Sequence, residues 1–426
     1  MVALPPRASS AMTNGPHPPR VRDASAPSRP SPRPPRWLRG VLFLSVLSIA
    51  GSAFAWMRVG VGGLQMHPFM VPVGLLFLLA LPQLWLVPVR IRLAGAVFFV
   101  IYVLSMLQGG PGASGEAVKV GASLVTMLAI AIPVARSGAH GPVVLALSMA
   151  AALMSIKGLV AGPQGLEGVN PVDIANKNAF SLYALPALLV GGHFLLDHHA
   201  EVRKWIRWAI LACMLLTLLA VFSGANRSGW LGVLLIATML LIRGRSVRTA
   251  LLLLALSAGA YALVVNFSNV DVIEHRIDLT RQGYQSDRGR QELLREALQI
   301  GVENPLLGVS PQQLPYDLAR RLRFPIDAID PHNVLGLIAG GCGILGLAAL
   351  IGLGWSLWTR APARRARQLS PAARSGHALL RMTLILWVVR GMFSREVLYS
   401  PTFAVAIGLG IALCVRAGMW RRQGRA

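Results

Sequence analysis

Acidic residues are scarce in this chain: 17 of its 426 residues are Asp or Glu, against 41 Lys or Arg. Charged residues of both signs make up 14% of a sequence that is 54% hydrophobic. A soluble domain spends about 25% of its residues on Asp, Glu, Lys and Arg, so an ordinary soluble globular protein is excluded. Cysteine is nearly absent too. Cys213, Cys342 and Cys414 each lie inside an apolar run, which suits a small buried hydrophobe and gives neither a disulfide framework nor a zinc site. A net charge of +24 would suggest nucleic acid in a soluble protein. In a chain this apolar it raises instead the question of where the charges sit relative to a bilayer, and no nucleic-acid partner is expected.

What the sequence has in abundance is long apolar runs, several near the roughly 20 residues that a membrane-crossing helix needs. They predict an all-α polytopic membrane protein of about twelve transmembrane helices, at 41–57, 68–89, 91–108, 117–135, 141–161, 174–196, 205–223, 227–243, 249–269, 332–358, 376–394 and 399–416. Only Arg90 and Arg92 separate the second run from the third. Residues 1–40, rich in Pro, Ser and Arg, are expected to be a basic tail with too little apolar content to fold. Ala53-Phe54-Ala55 resembles a signal-peptide cleavage site, but the charged region ahead of it is far too long.

Alternate connections carry the positive charge: the N-terminal tail, Arg90/Arg92, Arg136, Arg203/Lys204/Arg207, Arg243/Arg245/Arg248, the Arg360 to Arg374 loop and the 417–426 tail. By the positive-inside rule these are cytoplasmic, as are both termini. The opposite connections, such as Gly109 to Gly115 and Gly162 to Asp173, are nearly neutral. The chain therefore divides into a 1–40 tail, nine spans in 41–269, a large outward loop at 270–331 containing short helices, three spans in 332–416 and a 417–426 tail. A loop of about 60 residues among short connections is more often functional than decorative.

Within that loop Asp287 to Val302 reads as an amphipathic helix ended by Asn304-Pro305. Leu293, Leu294, Ala297, Leu298, Ile300 and Gly301 form one face, with Arg290 at its middle and Arg288 and Arg295 opposite. Arg290 is thus either a packed stem with a snorkelling head or an anion clamp. Asp330-Pro331-His332-Asn333 then opens an apolar helix, with Asp330 suited to cap it and Pro331 to its first position. That places His332 in the first turn, where the helix dipole disfavours imidazolium. The alternative is an interfacial histidine bonded to water or backbone.

Arg227, in an abrupt turn between two spans, is a charge where the orientation rule disfavours one. Arg390 with Arg395 and Glu396, and Lys177 in Asn176-Lys177-Asn178, are placed similarly. Each can pair with a carboxylate or snorkel; together they suggest a cationic pocket for a phosphorylated ligand. No Asp-x-Asp pair faces outward to hold a metal-bound diphosphate, and neither a metal nor a cofactor is expected. Gly341-Cys342-Gly343-Ile344-Leu345-Gly346 spells GxGxxG but follows no strand, so dinucleotide binding is not inferred; Gly336 and Gly340 suggest close helix packing. His193, Asp197, His198, His199 and Glu201 cluster at the cytoplasmic end of a helix, where solvated side chains are expected over a metal site.

The stretch from Arg227 to Gly346 resembles the O-antigen ligase and polymerase superfamily of bacterial membrane glycosyltransferases. There a helix-opening His-Asn is followed after nine residues by Gly-x-x-Gly, as His332-Asn333 is followed here by Gly343-Ile344-Leu345-Gly346. The likeness extends to Asn226-Arg227-Ser228-Gly229-Trp230, to Arg290 ahead of a short helix, to Lys177-Asn178, and to Asn304-Pro305-Leu306-Leu307-Gly308-Val309. It departs at Asn226, where Ser is usual, and at Ser310, where a second glycine is usual.

The resemblance implies glycan transfer from an undecaprenyl-diphosphate donor to an acceptor hydroxyl at the periplasmic face of the bacterial inner membrane. His332 would take or orient the acceptor proton, and Arg227 and Arg290 would stabilise the departing diphosphate. Asn333, Lys177, Asn178, Arg390 and Arg395 would bind substrate. The first reading is a ligase delivering O-antigen to lipid A-core. The second is a polymerase of O-antigen or exopolysaccharide, with a growing glycan as acceptor. A transporter or flippase also has about twelve spans, but the hydropathy shows no two-fold repetition and the polar residues avoid mid-membrane. A non-catalytic scaffold in a glycan-export complex is the remaining class.

Overall fold

Proline and glycine punctuate the apolar runs, and several helices of this computed structural model begin or end beside them. The structure describes residues 35–53, 59–61, 64–66, 69–109, 114–160, 177–198, 203–223, 227–244, 285–324, 328–358 and 371–417. The tails at 1–34 and 418–426, the ninth expected span at 249–269 and most of the Arg360 to Arg374 loop lie outside the described residues.

Thirteen α-helices are described: α1 Arg36–Leu47, α2 Met70–Ala80, α3 Val89–Leu107, α4 Ser114–Ser137, α5 His140–Val160, α6 Lys177–Asp197, α7 Lys204–Ser223, α8 Arg227–Gly244, α9 Gln285–Glu303, α10 Leu314–Arg321, α11 Val334–Leu357, α12 Pro371–Gly391 and α13 Pro401–Arg416. Six of them contain stretches long and apolar enough to cross a membrane: Val89–Leu107, Gly115–Ser137, His140–Leu159, Phe180–Asp197, Lys204–Ser223 and Val334–Leu357. Shorter apolar stretches are Met70–Leu86, Ser228–Arg243 and Pro401–Arg416.

The fold is helical, as expected, with one short antiparallel hairpin in which Val59–Val61 pairs with Leu64–Met66. One expectation is corrected: Arg90 and Arg92 lie in the first turn of α3 and not in a connection, since Pro88 sets an extended entry from which the helix starts.

α13 is buried from Pro401 to Cys414 and packs against α4, α6 and α12. Its attachment to α6 follows from one residue. Pro186 inside α6 has no N–H, so the carbonyl of Leu182 loses its helical donor. Thr402 Oγ1 donates to that carbonyl at 2.8 Å and Ser400 Oγ at 3.4 Å.

α11 departs from regular helix at one residue. Gly343 has φ +63° and ψ −161°, which breaks the helix where a continuous one was expected. Residues 305–310 satisfy the freed backbone groups. Val309 N donates to Gly340 O at 3.1 Å, Ser310 N to Gly341 O at 3.0 Å, Ile344 N to Pro305 O at 2.7 Å and Leu345 N to Leu306 O at 3.3 Å. A side chain at Gly343 would put Cβ 2.6 Å from Leu306 O, and one at Gly308, also at positive φ, would strike the carbonyl of Gly340. The segment that follows α9 is thereby locked to the helix that follows His332.

Candidate functional site

α9 presents Leu293, Ala297 and Ile300 to α11 as a buried stripe, and Arg290 sits half-buried one turn ahead of Leu293. Arg295 is exposed, as expected, whereas the side chain of Arg288 lies outside the described residues. Leu298 departs from the expected face: it is exposed. The buried stripe is therefore narrower, with the spacing of residues 290, 293, 297 and 300.

The segment before α11 differs from the expected cap. Asn333, in extended geometry, is the N-cap, its side-chain oxygen accepting from Gly336 N, and the helix begins at Val334. Asp330 and Pro331 precede the helix and do not cap it. His332 therefore stands just outside the first turn, with φ +55°, a left-handed conformation that is uncommon for a residue with a side chain.

Asp330 holds this turn by accepting the His332 backbone N–H at 2.7 Å through Oδ1. The same oxygen lies 3.9 Å from His332 Nδ1. Its other oxygen, Oδ2, lies 2.7 Å from Arg395 Nε as an ion pair, without the alignment of a hydrogen bond. Arg395 comes from a 3-10 helix, Arg395–Tyr399, between α12 and α13, and reaches Glu116 Oε1 of α4 at 3.4 Å. Tyr102 of α3 donates to the other oxygen of Glu116 at 3.5 Å. Lys119 lies 5.6 Å from the centre of the Tyr399 ring.

The His332 side chain is 47% exposed. Burial of the remainder lowers its imidazole pKa below the ordinary value, Arg290 and Arg395 add to that, and Asp330 opposes it. The neutral, proton-accepting ring is favoured. Burial also works against the charge on Arg395, but Tyr399, Asp330 and Glu116 outweigh it and the guanidinium is raised. Beside it, burial and the proximity of Asp330 push Glu396 up.

Arg390 is fully buried near the end of α12, with Nη2 donating to Ser181 Oγ at 2.8 Å. Its Nε and Nη1 have no hydrogen-bond partner among the described residues. The neighbouring Gly391 packs against Val334, the first residue of α11. Arg227 and Lys177 head α8 and α6, and Asn178 follows Lys177; their side chains lie outside the described residues. α8 packs against α6 and α12, the helices carrying Lys177 and Arg390. The structure thus draws His332, Asn333, Arg290 and Arg395 together, keeps Arg390 buried against α6, and places Arg227 and Lys177 at the starts of helices that pack with α12.

Sequence reasoning missed Glu116 and Tyr102. A lone carboxylate opening an apolar span is expensive to keep without a partner, and that signal was available at Glu116. The histidine cluster at the other end of α6 is also unlike its expectation. His193 and His198 are buried, each with Nε2 near Ser375 Oγ, at 3.0 and 3.1 Å, and Asp197 pairs with Arg243 at 2.8 Å. Among the described residues no group of three His, Cys, Asp or Glu side chains is arranged to hold a metal.

Below the Arg395–Tyr399 turn, a partly open cavity is lined mostly by apolar side chains that include Phe98, Met127, Leu353, Trp387, Val397 and Phe403. Comparison with curated proteins finds no match. Residues 209–351, from within α7 to the second half of α11 and including Arg227, Arg290, His332 and the interlocked glycines, match the family model described as O-antigen ligase.

Proposed function

We propose that this protein is a membrane glycosyltransferase of the O-antigen ligase type, moving a glycan from undecaprenyl diphosphate to a hydroxyl of lipid A-core at the periplasmic face of the inner membrane. The observation that carries this reading is His332, a half-exposed imidazole biased toward its neutral form in a strained turn, with the Arg290 charge close enough to act on it. The family match over 209–351 supports the substrate class. The alternation of arginine-rich connections supports the outward orientation of this end and a cytoplasmic position for both termini.

In the reaction, the acceptor oxygen attacks the anomeric carbon as His332 receives its proton. The bond from that carbon to the diphosphate oxygen breaks, and the electron pair leaves with undecaprenyl diphosphate. Arg290 and Arg227 stabilise the growing negative charge as planar forks, with no metal required. Direct attack inverts the anomeric centre. Asn333, Lys177 and Asn178 are proposed to bind substrate, the buried Arg390 adds its positive charge from within the helix packing, and the apolar cavity below the Arg395–Tyr399 turn suits part of the prenyl chain.

A polymerase uses the same donor chemistry with a growing glycan as acceptor, and the two readings separate in cells. Deleting the gene and resolving lipopolysaccharide on a gel is expected to leave long lipid-linked glycan unattached. A single repeat unit on the core would assign a polymerase instead.

A further inference from the structure

We infer that Asp330, Arg395 and Glu116 form a positioning relay that fixes the His332 turn and sets the electrostatic balance of its imidazole. The use of that imidazole as a base rests on the proposed function, but the relay is a claim about this chain alone. Arg395, which in sequence looks like a substrate-binding cation, is thereby a positioning residue.

The geometry divides each carboxylate between two partners. Asp330 gives Oδ1 to the backbone of His332 as a hydrogen bond and Oδ2 to Arg395 as an ion pair, so turning the carboxylate away from one weakens its hold on the other. Arg395 is held from the opposite side by Glu116, whose second oxygen is taken by Tyr102. A line of alternating charge therefore runs from α3 and α4, through the 3-10 turn, to the peptide N–H of a residue at φ +55°. A left-handed non-glycine residue persists where its surroundings over-determine it, and Asp330 supplies that determination here. Two carboxylates compensate the Arg395 guanidinium, whereas Arg290 has no carboxylate partner among the described residues. An incoming diphosphate would thus meet Arg290 as a cation that no described carboxylate compensates.

The charges facing His332 are Asp330 from its own segment, Arg290 from α9 and Arg395 from the 3-10 turn. Behind Arg395 stand Glu116 and Lys119 of α4, Tyr102 of α3, and Glu396 and Tyr399. Removing the Asp330 charge and removing the Arg395 charge must therefore move the imidazole in opposite directions. A part that only held the fold together would give neither sign.

The test uses the full-length protein in lipid nanodiscs without substrate. Diethyl pyrocarbonate, which modifies neutral imidazole, is applied across a pH series and labelling of the His332 peptide is followed by mass spectrometry. Asp330→Asn, which keeps an oxygen for the backbone N–H, is expected to lower the labelling midpoint by at least about 0.3 pH unit. Arg395→Ala is expected to raise it by a similar amount, and Arg395→Gln gives the same sign if the alanine variant does not accumulate. Midpoints that stay at the wild-type value, or move in the same direction, overturn the relay. Transfer measured on the same wild-type sample separates the two claims: opposed midpoints without transfer would leave the relay and remove the glycosyltransferase reading, whereas transfer with unmoved midpoints would do the reverse.

Discussion

The carbonyl of Pro305 accepts the backbone N–H of Ile344 at 2.7 Å, one residue past the glycine that breaks α11. This bond and its neighbours tie the segment behind Arg290 to the helix behind His332.

The glycines at the lock should be intolerant of any side chain. Gly343→Ala and Gly308→Ala each force a Cβ into a left-handed residue and against a backbone carbonyl. Each is expected to destabilise by about 2 kcal/mol or more, read as a lower midpoint in thermal size-exclusion or fluorescence assays. Ser310 has φ +85°, where a glycine would be unstrained. Ser310→Gly is therefore expected to raise the midpoint, the relief of about 1 kcal/mol exceeding the weak 3.3 Å bond that its hydroxyl accepts from Gln312 N. A drop for Ser310→Gly together with a neutral Gly343→Ala would remove the lock.

Much of the fold was legible because a membrane-crossing helix needs a long apolar run, and those within Val89–Leu107 and Lys204–Ser223 carry their charges only in the first turn. His332 and Arg290 were legible for the complementary reason, being polar groups where apolar ones are cheaper. The cap was not. Asp330 and Asn333 are both good caps, and the choice is made by the positive φ of His332 between them, a backbone property that composition does not carry. The break at Gly343 was hidden because its partners come from residues 305–310, and Glu116 because its partner Arg395 is far along the chain.

The two faces of α9 should differ in transfer. Arg290→Lys keeps the charge but loses the fork and is expected to reduce transfer at least tenfold, whereas Arg295→Ala, at an exposed position, should stay within about twofold. Equal losses at the two positions would detach Arg290 from the chemistry.

Topology gives an independent check. A reporter fused near Gln312 should be active only outside the cytoplasm and one near Arg367 only inside, as the charge distribution requires. A cytoplasmic Gln312 would place the His332 turn on the wrong side for a lipid-linked donor.

The pH dependence follows from the imidazole. Burial and the two arginines lower the His332 pKa, so transfer should hold on the alkaline side and fall only as pH drops below the ordinary histidine range, when the ring becomes protonated. The same reaction should proceed with excess EDTA. Loss with EDTA, restored by magnesium or manganese, would replace leaving-group stabilisation by Arg227 and Arg290 with a metal.

The most direct measurement is transfer by purified protein given lipid-linked donor and lipid A-core acceptor, comparing the wild type with His332→Ala. Proton transfer by a positioned base contributes about 10²–10⁴-fold, so the variant should lose at least a hundredfold in turnover while still binding the donor. A loss below about tenfold, with the donor bound as before, would contradict a proton-accepting role for His332.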